Sequence, residues 1–122
     1  MTWVYKVSAH SFYHNGTYKF DAKYAGRPGF KNDSAYECVK NKGPIPRGTY
    51  TIGPAFYHNR TKAWTIRLTP YIENQMCGRD GFMIHGESLS HPGEASDGCI
   101  ILDMSYRKII ADSSDKVLVV ED

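Results

Sequence analysis

The stretch Gly81–Leu102, GFMIHGESLSHPGEASDGCIIL, contains two apolar runs, Gly81–His85 and Cys99–Leu102, separated by a segment almost devoid of apolar residues. Short continuous apolar runs are the mark of strands buried on both faces. Both runs are therefore expected in the core of a sheet, with the polar segment 86–98 leaving it and returning. His85 closes the first run and Cys99 opens the second. If the runs are neighbouring strands, the two side chains lie near one another at one rim.

Outward from this stretch, strand signals dominate. Thr2–Val7 and Thr17–Tyr24 are rich in β-branched and aromatic residues, with His14–Gly16 between them as a turn, so the chain opens in a hairpin or meander. Ala25–Ser34 clusters Gly, Pro, Asn and Asp and reads as a loop. In Asn41–Gly53 two prolines precede a strand at Thr49–Ile52. Ala63–Leu68 alternates, placing Trp64, Ile66 and Leu68 on one face and Thr65 and Arg67 on the other. Asp103 can cap a short helix whose apolar positions are Leu102, Tyr106, Ile109 and Ile110, and Lys116–Val120 closes the chain as a strand. The expected fold class is all-β with one short helix, a β-sandwich or partly closed barrel.

At 122 residues the chain is expected to form one domain, residues 1–122, and to act as a monomer. The net charge of +2, from 15 basic and 13 acidic residues without a basic stripe, argues against a nucleic-acid partner. The opening MTWVYKVSAHSFY is too polar for a signal peptide, and no apolar stretch approaches the roughly 18 residues of a membrane span. The three cysteines allow one disulfide and a free thiol, or three free thiols. Cys99 is the natural odd one out, which leaves Cys38 and Cys77 as the possible pair.

A thiol becomes a strong nucleophile when an imidazole takes its proton, so Cys99 and His85 within reach of one another would be the minimum apparatus for acyl transfer. Gly98 would let the backbone approach a substrate closely, and the amides of Gly98 and Cys99 could point at a developing oxyanion. The plainer alternative is a buried core cysteine beside a satisfied strand-end histidine.

MIHG followed by SDGCI resembles the catalytic signature of the L,D-transpeptidase (YkuD-type) family, in which Ile-His-Gly is followed after a loop by Ser-His-Gly-Cys. GPIPRGTYTIG, ahead of the histidine, resembles that family's Pro-x-Gly-x-[FY]-x-Ile segment. The resemblance spans Gly43 to Leu102, about half the chain. It implies a β-rich fold with Cys99 as nucleophile, His85 as general base, Gly86 as the residue whose carbonyl orients the histidine, and Ser96 and Gly98 as the matching loop residues. Asp97 departs from the family histidine. A carboxylate there must point away from the sulfur, bind loop amides or tune His85, because its charge disfavours a thiolate.

The small size and the SDGC variant look most like the compact L,D-transpeptidase effectors that bacteria inject into rivals by type VI secretion. That likeness implies a peptidoglycan stem tetrapeptide as substrate, with loss or exchange of its terminal D-alanine. It also implies a protein made in the cytoplasm without a signal peptide, secreted, and active in the periplasm of target bacteria. Its implied partners are the secretion machinery and a cognate immunity protein.

Arg47, Tyr57, Arg79 and Glu87 could line a cleft for a zwitterionic peptide. His85, His91, Asp97 and Cys99 match no zinc spacing, and neither a metal nor another cofactor is expected. GRPGF, Gly26–Phe30, is too poor in glycine for a phosphate loop. Papain-like and NlpC-type cysteine hydrolases place the cysteine before the histidine, the reverse of the order here. A non-catalytic alternative is a β-rich wall-binding or toxin-blocking module with a structural Cys99.

Overall fold

The computed structural model describes residues 2–122; Met1, the first residue of the expected 1–122 domain, lies outside the described residues. The chain opens in a meander of β1 (Trp3–Lys6), β2 (Ser11–His14) and β3 (Thr17–Asp21). Asn15 and Gly16, both at positive φ (52° and 81°), make the tight turn between β2 and β3. Such a turn matches strand twist and favours these two residues. Next come β4 (Tyr24–Ala25), a turn of 3-10 helix (Ser34–Tyr36), β5 (Gly48–His58), β6 (Lys62–Pro70), β7 (Met83–His85) and β8 (Ile100–Ile101). The helix α1 (Met104–Asp112) and β9 (Val117–Glu121) complete the chain.

The described residues are mainly β with one short α-helix, and their nine strands form one open sheet in the order β3-β2-β1-β9-β5-β6-β7-β8-β4. Residues from both ends of this sheet, Phe20 of β3 and Ala25 of β4, belong to the same core cluster as Tyr50, Ile66, Ile84 and Leu118. The sheet therefore curls around one core. Register shifts in β5 between Ile52 and Ala55 and between Phe56 and His58 add bend where Pro54 has no N–H to give the ladder. Burial of side chains such as Ile84 and Ile100 contributes about 1.5–3 kcal/mol each.

The pairing of β7 with β8 is parallel, Ile84 opposite Ile100 and His85 opposite Ile101. Neighbouring parallel strands cannot be joined by a tight turn and need a connection of about a dozen residues or more. That requirement accounts for the connection 86–99, which contains the polar segment 86–98. Side chains alternate along each strand, and Phe82, Ile84, Ile100 and Leu102 all enter the core cluster. Met83, His85, Cys99 and Ile101 consequently fall on the opposite face, where they too are buried.

Three local expectations are corrected. In β6, Thr65 is fully buried beside Ile66 while Trp64 is only half-buried. Positive φ at Lys62 (73°) and Trp64 (57°) breaks the alternation next to a register shift. In α1, Ile109 is 49% exposed, and the buried positions are Arg107 and Ile110. Asp103 occupies the N-cap without a side-chain capping bond; its carboxylate lies 3.6 Å from Lys23 Nζ instead. Tyr106 stacks on Phe20 at a centroid distance of 4.3 Å, tying the helix to the far edge of the sheet. Among the described residues, no helix is long and apolar enough to cross a membrane.

Candidate active site

His85 and Cys99 line one cavity of about 270 Å³, as the adjacency of their strands dictates. An adjoining groove of about 620 Å³ shares His85, Arg60, Ala95 and Asp97 with it and runs beneath the segment 86–94. His85 thus borders two spaces. Its Nδ1 lies 2.9 Å from the Gly86 carbonyl oxygen. A carbonyl only accepts, so the proton sits on Nδ1 and Nε2 keeps the lone pair.

Cys99 is 8% exposed, and its Sγ donates to the Gly81 carbonyl at 3.8 Å. No hydrogen bond joins it to His85 among the described residues. Burial pushes the Cys99 thiol up, and the Asp97 charge adds to that against the Met83 amide and the Arg60 and Arg67 cations. Burial also holds the His85 imidazole below its ordinary range, reinforced by Arg107, Arg60 and His58 and opposed by the Gly86 carbonyl. Both directions favour a neutral thiol and a neutral imidazole at neutral pH. A thiol in that state can attack a carbonyl only if its proton is transferred in the same step.

The loop preceding Cys99 is fixed by a buried hydroxyl. Ser96 Oγ donates to the Cys99 carbonyl at 2.6 Å and accepts from the Gly98 and Gly26 amides at 2.9 Å each. This corrects one expectation, since the Gly98 N–H is occupied by Ser96 and is not free for an oxyanion. Gly98 has φ 139°, and a Cβ there would come within 2.6 Å of Arg79 Nη2 and 3.0 Å of the Gly43 carbonyl oxygen. Only glycine fits. At Gly86 a Cβ would meet Arg107 Nη2 at 2.8 Å. Asp97 points outward, its carboxylate 2.7 Å from Arg27 Nη1.

The expected cleft residues separate. Arg79 is buried; its Nη1 donates to the Glu37 and Pro44 carbonyls and its Nη2 to those of Gly43 and Asp97. Although it borders the cavity, it pins three loops together and has no Nη hydrogen left for a ligand. Arg47 lies outside both spaces, forked onto the Glu37 carboxylate at 3.0 Å. Tyr57, 65% exposed, borders only a shallow depression with Trp64. Glu87 lines the groove and accepts from Tyr24 Oη at 2.6 Å. Burial works to raise the Glu87 carboxyl, but hydrogen bonds from Tyr24, Ser88 and Gly93 together with the Lys23 charge bring it below the ordinary value. Tyr24 in turn is pushed up to about 12 by burial and by that carboxylate.

Cys38 and Cys77 form a disulfide, with Cα atoms 5.3 Å apart, and Cys99 is free. The bond fastens both walls of the cavity, because Lys40 and Asn41 follow one cysteine and Arg79, Asp80 and Gly81 follow the other.

Residues the sequence did not single out include Arg60, Lys40, Arg27, Tyr24 and Arg107. Arg60 sits in the β5–β6 turn and reaches the site only because β6 pairs with β7. Buried Arg107 donates to the carbonyls of Leu102, Ala63 and Trp64, locking α1 under the histidine strand. Nothing in their spacing marks either one.

The profile of the Tlde1 domain matches residues 19–120. The chain belongs to the Tlde1 domain family. That match excludes β1 and β2, which the structure nevertheless places in the same sheet, beside β9. The chain also shares its fold with solved L,D-transpeptidases. It resembles one from Mycobacterium smegmatis (20% identity, 99% of this chain and 58% of that one, TM-score 0.56). Mycobacterium tuberculosis L,D-transpeptidase 1 is similar (16%, 99% and 58%, TM-score 0.61). So is the helical cell shape determining protein Pgp2 of Campylobacter jejuni (18%, 99% and 47%, TM-score 0.61). The chain thus spans less than two thirds of the length of these structures. No curated protein matches its sequence.

Proposed function

We propose that this protein is a cysteine acyl transferase of peptidoglycan stem tetrapeptides, an L,D-carboxypeptidase that also exchanges the terminal D-amino acid. The observation that carries this reading is the shared cavity of Cys99 and His85, with Nδ1 tied to the Gly86 carbonyl and Nε2 free. The Tlde1 membership and the L,D-transpeptidase fold support the choice of substrate.

In this mechanism His85 Nε2 takes the thiol proton as Cys99 Sγ attacks the carbonyl at the L-centre of diaminopimelate. The tetrahedral intermediate collapses with cleavage of the C–N bond, and Nε2–H returns the proton to the departing D-alanine amine. A thioester remains on Cys99. Water, or the amine of a free D-amino acid, then adds with Nε2 as base, and the sulfur leaves and regains its proton. Either outcome removes donors for wall cross-linking, as suits a toxin delivered into rival bacteria by type VI secretion, active in their periplasm and neutralised by an immunity protein in its producer.

A buried thiol with a raised pKa also suits a non-catalytic wall-binding module. Incubation with disaccharide tetrapeptide, followed by muropeptide analysis and intact-protein mass, separates the two. The enzyme releases D-alanine and carries an acyl adduct, and both vanish in Cys99→Ala and in His85→Ala. Wild-type protein that gives neither product nor adduct defeats the proposal.

A further inference from the structure

We infer that Arg60 seats the carboxylate of the D-amino acid at the reacting end, both the departing D-alanine and an incoming D-amino acid. The inference rests on the acyl-transfer reading and adds to it a specificity-determining residue outside the resembling motifs.

Among the described residues, Arg60 is the cation that borders both the Cys99 cavity and the adjoining groove. The other cations there are engaged or confined to one space. Arg79 serves four carbonyls, Arg27 pairs with Asp97, and Lys62 Nζ donates to the Asn59 carbonyl. Lys40 borders the cavity alone. Arg60 has no carboxylate within ion-pair distance among the described residues, and its one hydrogen bond runs from its backbone N–H to His58 Nδ1 at 3.0 Å. The same imidazole accepts from Thr61, so the turn is braced while the guanidinium stays open to solvent. Its charge is felt at both Cys99 and His85.

A cation in this place suits the chemistry. His85 Nε2 must reach the amine that leaves or enters, and in a D-amino acid the carboxylate is bonded to the carbon that bears that amine. Anything that puts the amine on His85 puts a carboxylate just beyond it, and a guanidinium is shaped to hold one by two parallel hydrogen bonds. Water, the competing acceptor, carries no carboxylate. Arg60 accordingly governs capture of the tetrapeptide and of the D-amino acid, and bears on the water step only through its charge on His85.

The test compares wild type, Arg60→Gln and Arg60→Lys on stem tetrapeptide and on the same peptide ending in D-alaninamide, with circular dichroism as the folding control. Arg60→Gln should raise KM for the carboxylate substrate about 10- to 100-fold, the scale of a lost hydrogen bond to a charged group. Wild type should lose a similar factor on the amide, Arg60→Gln should lose nothing further, and Arg60→Lys should recover part. With added D-methionine, Arg60→Gln should shift products from exchange to hydrolysis. A folded Arg60→Gln that matches wild type on both substrates, or loses equally on both, overturns the assignment and leaves the acyl-transfer reading standing. Wild type inactive on the tetrapeptide overturns both.

Discussion

The Arg27 guanidinium holds the Asp97 carboxylate at 2.7 Å, on the exposed side of a loop whose next turn carries Cys99. The carboxylate is directed outward, yet its charge still acts to raise the thiol. Asp97→Asn should therefore lower the apparent pKa of Cys99, and Arg27→Ala should raise it by leaving the carboxylate unopposed. Both residues are substantially exposed, so stability should change by no more than about 0.5 kcal/mol. The pH dependence of iodoacetamide alkylation reads the thiol directly; shifts in one direction for both variants contradict this account.

Burial lowers the His85 pKa from its ordinary 6.5, so the basic form persists into mildly acidic solution. The acid limb of kcat/KM for D-alanine release should fall below pH 6.5. Stability carries the matching sign. Between the folded and unfolded pKa values the unfolded chain binds more protons, so stability declines as pH drops through 6.5 towards the folded value. Urea unfolding of wild type against His85→Gln across that window checks this, since the variant should show a shallower decline.

Ser96 Oγ makes three buried hydrogen bonds that set the backbone of the cysteine turn. Ser96→Ala leaves two amides and a carbonyl without that partner. At roughly 1 kcal/mol each, the loss should reach about 2–3 kcal/mol, with turnover reduced more than substrate affinity because Cys99 is displaced. Chemical denaturation and kcat measured together test it. An unchanged unfolding midpoint would mean that water replaces the hydroxyl without cost.

The Cys38–Cys77 bond closes a loop of sequence separation 39, for which chain entropy gives about 4 kcal/mol of stabilisation. The double variant Cys38→Ser/Cys77→Ser should unfold at markedly lower urea. It should also lose activity, since the freed segments wall the cavity. Thiol titration of the denatured, unreduced wild type should count one thiol, that of Cys99.

The elements most legible in the sequence are those written in local periodicity. The runs ending at His85 and starting at Cys99, the turn expected at His14–Gly16 and the strand expected at Lys116–Val120 all appear within a residue or two of where the pattern puts them, the turn narrowing to Asn15 and Gly16. Strand order and the parallel sense of β7 and β8 are set by long-range packing and leave no local trace. The same limit applies within the site. The His85–Gly86 hydrogen bond joins adjacent residues, whereas the partner of Asp97 lies 70 residues away and Arg60 approaches through an intervening strand. Trp64 and Thr65 defeat simple alternation because a bulge changes which face each residue presents.

The parallel pairing of β7 and β8 has a consequence for how such a protein can diversify. In a hairpin, altering the turn shifts the register of both arms. Here the connector crosses over, and the alignment of Ile84 with Ile100 is secured by the strands themselves. The segment 87–94 can therefore lengthen, shorten or change chemistry while the histidine and cysteine stay in register, allowing the groove to be re-tailored around a constant pair.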